Sequence, residues 1–309
     1  MDFKQLQHIT TIAQEKNISK AAQKLYVSQS ALSLSLKDIE RELDCTLFQR
    51  STHGLSITYE GERFVDTAQH ILASWDRLKR EIKDIKNEKS GRVKLGMSSS
   101  RSPYILPSLV NKLHSINSNI DIDVMEGFSL ELEEQLKKGT LDLAVYPLPL
   151  RDNSLSIWRE VREEIFICVN KNNPLLNQVH YDREHNRKWL DIEDIKDEPI
   201  ILLHPGQKLR VLVDGLYSKI GVIPNAIFTT YNLYTAINLV KIGCGITYTY
   251  THPQQFINVD ELELISISSA GVYRPIGIVY NPSIYFSKAA ELTANMLILE
   301  LSGRQSPCY

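Results

Sequence analysis

Cysteine is scarce in this chain and poorly spaced for chemistry. Cys45, Cys168, Cys244 and Cys308 form no CxxC pair and no short metal-ligand spacing, which speaks against a zinc module or a disulfide framework. The thiols can be buried packing residues in a reducing cytoplasm or parts of a redox switch, and their isolation fits the first reading better. No apolar run approaches the ~20 residues needed to cross a bilayer. The N-terminus also lacks a secretory pattern, so a soluble, cytoplasmic protein with no membrane partner is expected. A GxSxG elbow, a P-loop, an HExxH pair and a dinucleotide fingerprint are missing as well. An enzyme remains the rival reading only because α/β clefts host much chemistry; no cofactor, metal or catalytic residue is expected. Charge of one sign is lacking too: 35 Lys and Arg stand against 37 Asp and Glu, for a net charge of -2. That balance taken alone argues against nucleic acid, although an acidic large domain can mask a local basic face.

What is present begins near the N-terminus. With 309 residues the chain can hold a small domain and a sizeable one with its own core. Ser19 is a candidate cap for a helix with an inner face of Ala21, Ala22 and Leu25. Tyr26 and Val27 break the run. Ser28 can cap a second helix, on which Ala31, Leu32, Leu36, Ile39 and Leu43 recur at helical spacing and are expected to face the core. Gln29, Ser30, Ser33, Leu34, Lys37 and Arg41 are left pointing outward. Two short helices with a tight break, followed by a polar turn, fit a winged helix-turn-helix, which lays its second helix in the DNA major groove. Amides and hydroxyls at the start of that helix suit base edges, while Lys37 and Arg41 suit phosphates. A small helical hairpin with merely solvated polar residues is the plainer alternative.

Beyond this pair, Arg50 reads as a phosphate clamp at the base of the wing, Gly54 supplies its turn, and His53 reads as solvated. Thr58 can cap a long helix with Glu60 and Glu62 near its positive end. Along that helix Phe64, Ala68, Ile71, Trp75, Leu78, Ile82 and Ile85 alternate steps of four and three, a heptad seam. The stripe can pair with a second copy, holding two DNA-binding modules at fixed separation, or be covered within the chain; the dimer is the expectation. Lys89-Ser90-Gly91 then reads as a hinge.

From Arg92 onward strands alternate with helices, an α/β pattern. In open α/β sheets ligands sit beyond strand carboxyl ends and near helix N-termini. Four segments meet that description: Ser98-Ser99-Ser100-Arg101, Tyr146-Pro147, His204-Pro205-Gly206 and Thr229-Thr230. Together they suit a small anion such as a carboxylate, with Tyr146 as an aromatic wall. The serines can equally be ordinary caps and Arg101 a solvated cation.

The run AAQKLYVSQSALSLSLKDIERELDCTLFQRS, Ala21 to Ser51, resembles the N-terminal signature of the LysR-type transcriptional regulators. The likeness is strong over about the first 60 residues and looser over the rest. Relatives usually carry Pro at the position of Ser30 and commonly Arg at that of Leu34. These departures bear on the DNA sequence read, and Leu34 can touch a thymine methyl group or pack on a neighbouring helix. The resemblance implies a winged helix-turn-helix over 1–58, a linker and dimerisation helix over 59–90 and an effector-binding domain over 91–309. It further implies that the last is two-lobed like a periplasmic binding protein, with lobe I about 91–162 and 266–301 and lobe II about 163–265. Double-stranded DNA, a small effector, a homodimer or homotetramer, and RNA polymerase as a further contact are the implied partners. Set against these relatives, Gln178 to Leu190 looks like an inserted surface excursion, and His180 and His185 within it make only a weak metal candidate. Gly243-Cys244-Gly245 looks like the family's helix-to-strand turn. The rival within this frame is a metabolite-binding module whose DNA-binding end has weakened, motivated by Ser30 and Leu34.

Overall fold

The computed structural model describes residues 1–51, 54–85, 91–116, 119–182, 187–250 and 261–302, without the side chains of Arg50, Ser51, Lys83 and Ile85. The readings placed on His53, Lys89, Ser90, His185 and Cys308 lie outside the described residues. The chain forms two compact units. One comprises Met1–Glu88 with Gln135–Thr140 and Ser283–Ser287; the other comprises Lys89–Glu134, Leu141–Pro282 and Lys288–Tyr309.

The first unit contains α1 (Phe3–Glu15), α2 (Ile18–Lys24), α3 (Gln29–Leu43), β1 (Phe48–Ser51), β2 (Gly54–Ile57) and α4 (Tyr59–Ile85). Asp2 and Gln5 close a capping box on α1. The cap of α2 is Asn17, not Ser19, and it accepts from Lys20 N–H at 3.0 Å. Ser28 caps α3 as its sequence predicts, accepting from Ala31 N–H at 3.1 Å. The break between α2 and α3 places Tyr26 at φ 55, a left-handed turn residue. Ile9, Ile12, Ala21, Ala22, Leu32, Leu36, Ile39, Leu47 and Phe48 form the core. Ala31 and Leu43 do not join it: both are exposed, because the buried stripe of α3 runs through Leu32, Leu36 and Ile39. A hairpin of two four-residue strands pairs Phe48 with Ile57 and Ser51 with Gly54, so the wing is a β-ribbon. Glu40 secures its entry by accepting from Leu47 N–H at 2.8 Å and Phe48 N–H at 3.3 Å.

Thr58 caps α4, accepting from Gly61 N–H at 3.0 Å. A Cβ on Gly61 would meet the Leu47 carbonyl oxygen at 2.2 Å. We expect Gly61→Ala to destabilise this unit by about 1–3 kcal/mol, since backbone must shift to admit one methyl group; a urea melt checks it, and an unchanged midpoint would contradict it.

The second unit contains β3 (Gly91–Met97), α5 (Ser102–Ile116), β4 (Ile120–Glu126), the start of α6 (Ser129–Lys138, of which Gln135–Lys138 count with the first unit), β5 (Leu143–Pro147), β6 (Ser156–Asn170), β7 (His180–Asp182), β8 (Arg187–Leu190), α7 (Ile192–Ile195) and β9 (Ile200–Leu203). It continues through α8 (Lys208–Lys219), β10 (Ala226–Thr230), α9 (Leu233–Lys241), β11 (Thr247–Tyr250), β12 (Leu262–Ile267), β13 (Val272–Tyr280) and α10 (Lys288–Leu301). One sheet runs β4-β3-β5-β13-β6-β12-β8-β7, with β11 also on β6; β9 and β10 pair separately. Strands β3, β4 and β5 are parallel, as βαβ units require, whereas β13 runs antiparallel to β5 and β6. The long β6 pairs β13 from Ser156 to Ile165, then β11 and β12 from Ile165 to Asn170. The segment expected as a surface excursion instead contributes β7 and β8, and β8 joins the sheet beside β12. His180 in it stacks on Trp189 at 4.1 Å. After α9, Gly243 and Gly245 take φ 80 and 148, and a Cβ on Gly245 would meet the Pro199 carbonyl oxygen at 2.2 Å; this turn needs glycine.

Candidate DNA-reading face and effector cavity

Because the apolar stripe of α3 is buried, its other face is presented as a surface. Gln29, Ser30, Leu34 and Lys37 are exposed and Ser33 is half-buried. Leu34 keeps 60% of its surface, which rules out packing against a neighbouring helix within this unit. Gln29 Oε1 accepts from Ser19 Oγ at 3.0 Å, and Ser30 Oγ lies 3.0 Å from Ser28 Oγ. These neighbours hold the polar side chains at the start of the helix in place. Arg41 pairs with Asp38 at 2.7 Å, which lowers its value as a phosphate contact. Tyr26, 95% exposed just before α3, belongs to the same region and was missed; its left-handed turn is not visible in hydrophobic spacing. The Arg50 side chain lies outside the described residues, and its backbone sits in β1.

On α4, Phe64 and Val65 pack against the core of the unit and Ala68 is buried. Ile71, Trp75, Leu78 and Ile82 remain 37%, 45%, 44% and 45% exposed. Trp75 leans on Phe3 with ring centroids 5.2 Å apart. The Ile85 side chain lies outside the described residues.

In the second unit a cavity of about 470 Å³ opens beyond the strand ends. Ser98, Ser100, Arg101 and His204 line it, as the sequence leads one to expect, together with Phe128, Arg151, Lys208, Tyr231, Tyr250 and Arg274. Ser99 points to solvent and is not on the wall. Tyr146 is fully buried in β5 and does not line the cavity, because in an all-buried strand its side chain turns into the core. Thr229 and Thr230 also lie off the wall. Thr230 instead supports the loop, its carbonyl accepting from His204 N–H at 2.9 Å and its Oγ1 from Asn232 N–H at 3.1 Å. The aromatic wall is supplied by Tyr231, stacked on His204 at 4.0 Å and 12°, and by Tyr250.

Arg101 is not the solvated cation of the plainer expectation; it is 1% exposed. Its Nη2 donates to Glu163 Oε1 at 2.6 Å, and Arg274 Nε donates to the same oxygen at 2.5 Å. Burial works against the charge on Arg101, but Glu163, together with Tyr104 and Tyr250, outweighs it and raises the Arg101 pKa. Burial likewise works to raise Glu163, and the two arginines overcome it, holding Glu163 below the usual carboxylate range. Tyr250 donates its hydroxyl to Ser100 Oγ at 2.9 Å, fixing the serine turn at the cavity edge. Lys208 donates to the Pro149 carbonyl at 3.2 Å, and burial lowers its pKa. Cys168 is buried and its thiol is pushed up to about 12 by that burial, a chemically inert position.

A helix-turn-helix with a β-ribbon wing, joined in one chain to an α/β unit with a charged cavity, defines a DNA-binding regulator that responds to a small ligand. Residues 3–62 match the model of the bacterial regulatory helix-turn-helix protein of the lysR family, and residues 86–301 match the LysR substrate binding domain. The chain therefore belongs to the LysR family of transcriptional regulators. It is 30% identical over 256 residues to the HTH-type regulator YcgK of Bacillus subtilis, covering 80% of this chain and 79% of that protein. With CysL of Bacillus subtilis it shares 25% over 301 residues, covering 96% and 97%. Among solved structures, a full-length OxyR variant from Pseudomonas aeruginosa superposes with TM-score 0.73 at 24% identity, covering 97% of this chain and 95% of that one. CbnR complexed with its target DNA gives TM-score 0.71 at 17% identity, covering 97% and 100%. These two likenesses speak for the fold. No helix among the described residues is long and apolar enough to cross a membrane.

Proposed function

We propose that the effector is a small anion, a carboxylate above all, held in the cavity by Arg101, Arg274 and the Ser98–Ser100 turn. The observation that carries this reading is the pair of buried guanidiniums on the cavity wall, which lend a low-dielectric surface its positive sign. In this reading α3 meets base edges through Gln29, Ser30, Ser33 and Leu34, while Lys37 and Arg50 meet phosphates. Two copies pair through α4, and the larger units associate further into a tetramer. RNA polymerase is the partner on which a shift in DNA geometry acts. The working boundaries are 1–58, 59–90 and 91–309, and membership of the family supports the reading of a cytoplasmic regulator with no reaction of its own.

A thermal-shift panel of small carboxylates, amino acids and inorganic anions against the full chain tests the effector class. Binding to the folded state alone stabilises by about 2.7 kcal/mol at a hundredfold excess over Kd. A hit that disappears in Arg101→Ala, each protein read against its own baseline, supports the site; a hit that persists moves the effector elsewhere.

The reading head has its own test. Gln29→Ala is expected to relax base preference at one position, at a cost of about 1–3 kcal/mol on the preferred site. Arg50→Ala should weaken all sequences alike and reduce the salt slope by about 1. Equal, sequence-independent losses from both would show that Gln29 is not a base reader.

A further inference from the structure

The Arg101–Glu163–Arg274 cluster is more elaborate than an anion site requires. Both arginines line the cavity, whereas Glu163 does not. All three are buried, Arg101 at 1%, Glu163 at 5% and Arg274 at 7% exposure. The two guanidiniums also lie over the Tyr250 ring, 4.6 and 5.2 Å from its centroid, and one carboxylate oxygen joins them. Arg101 Nη1 and Glu163 Oε2 are both buried with no hydrogen-bond partner among the described residues; of the two only Arg101 lines the cavity, so its donor is the one within reach of an acceptor that enters.

Two guanidiniums and one carboxylate leave a single uncompensated positive charge. In a buried setting such a remainder decides which ligand charge is tolerated, because each unmatched unit is poorly screened. The other cations on the wall count for less. Arg151 is exposed and its guanidinium is screened by water, and Lys208 is half-buried and held on a carbonyl.

Resting on the reading that this cavity takes an anion, we propose that Glu163 is a specificity-determining residue. By neutralising one of the two arginines, it sets the cavity to take a singly charged acid, such as a carboxylate or sulfonate, in preference to a phosphate-like dianion.

Benzenesulfonate and phenylphosphonate are close in shape and differ by one charge at about pH 8, above the second ionisation of a phosphoryl group near 6. Calorimetric titration of the full chain at constant ionic strength should show benzenesulfonate binding about tenfold tighter or more. Glu163→Gln raises the cluster from one net positive charge to two and should reverse the order. Arg274→Gln leaves the Arg101–Glu163 pair neutral and should lose both ligands, so the test stands even where Glu163→Gln fails to fold. A wild-type preference for phenylphosphonate, or a ratio unchanged by Glu163→Gln, overturns the inference and leaves the anion reading standing. Binding of neither ligand, by a chain that still binds DNA, removes the anion reading and the inference with it.

Discussion

Replacing Leu78 and Ile82 with glutamate will unpair the copies joined through α4, leaving a smaller assembly, and cut the affinity for specific DNA by about 10²–10⁴-fold. The size follows from avidity: linking two binding modules multiplies affinity by that range without any new contact, and unlinking them removes it. The choice of residues follows from how α4 divides its heptad stripe. Phe64 and Ala68 are already committed to the core of their own unit, so changes there would damage folding instead of pairing. Leu78 and Ile82 are 44% and 45% exposed and carry no such duty. A charge at either position must be desolvated to pair the helices, while the separated helix leaves it in water. Light scattering and anisotropy on labelled DNA read the two effects. A variant whose assembly stays as large as that of the wild type would show that α4 does not join the copies.

Glu163→Ala will destabilise the second unit by about 3–5 kcal/mol. Removing one partner from a buried ion cluster strands the rest, and here it strands two guanidiniums at once. The same group gives the wild-type protein an acid-sensitive term. Its folded pKa lies below its unfolded value, with burial opposing and the two arginines prevailing. Its stabilising contribution is therefore complete above the unfolded carboxylate pKa, and is lost as pH falls through the depressed folded one. Urea midpoints against pH should fall in acid for the wild type, with a shallower fall for the variant. A loss below about 1 kcal/mol at neutral pH, or parallel pH profiles, would contradict the placement of Glu163.

Much of the architecture was legible because burial leaves a period in the sequence. Strand β9 (Ile200–Leu203) coincides with an apolar run, and β12 (Leu262–Ile267) with a mostly apolar one, in which Glu263 and Ser266 interrupt the pattern. Strand β6 was not read at all. Its first half, Ser156–Arg162, mixes charged and apolar residues, none of them buried, and shows no strand period until its pairing with β13 is known. The hairpin of β7 and β8 was hidden in the same way: its backbone bonds, not its side chains, bring it into the sheet.

The cavity was half legible. Ser98, Ser100, Arg101 and His204 were found by their place after strands, whereas Tyr146, chosen on the same rule, belongs to a strand with every residue buried. Glu163 and Arg274 did leave a signal, a charged residue in the apolar phase of a strand, but only pairing between β6 and β13 turns two such oddities into one cluster. On α4 the heptad spacing showed the stripe, though not that its first turns are used at home.

Footprinting of the full chain on the DNA beside its own gene, in the presence of excess competitor DNA, tests the central claim most directly. A LysR-family regulator with a working α3 should protect a defined site that survives the competitor, and an anion that shifts the melting temperature should change the extent of that protection. Protection erased by competitor would contradict the account and leave a metabolite-binding module whose DNA-binding end no longer reads sequence.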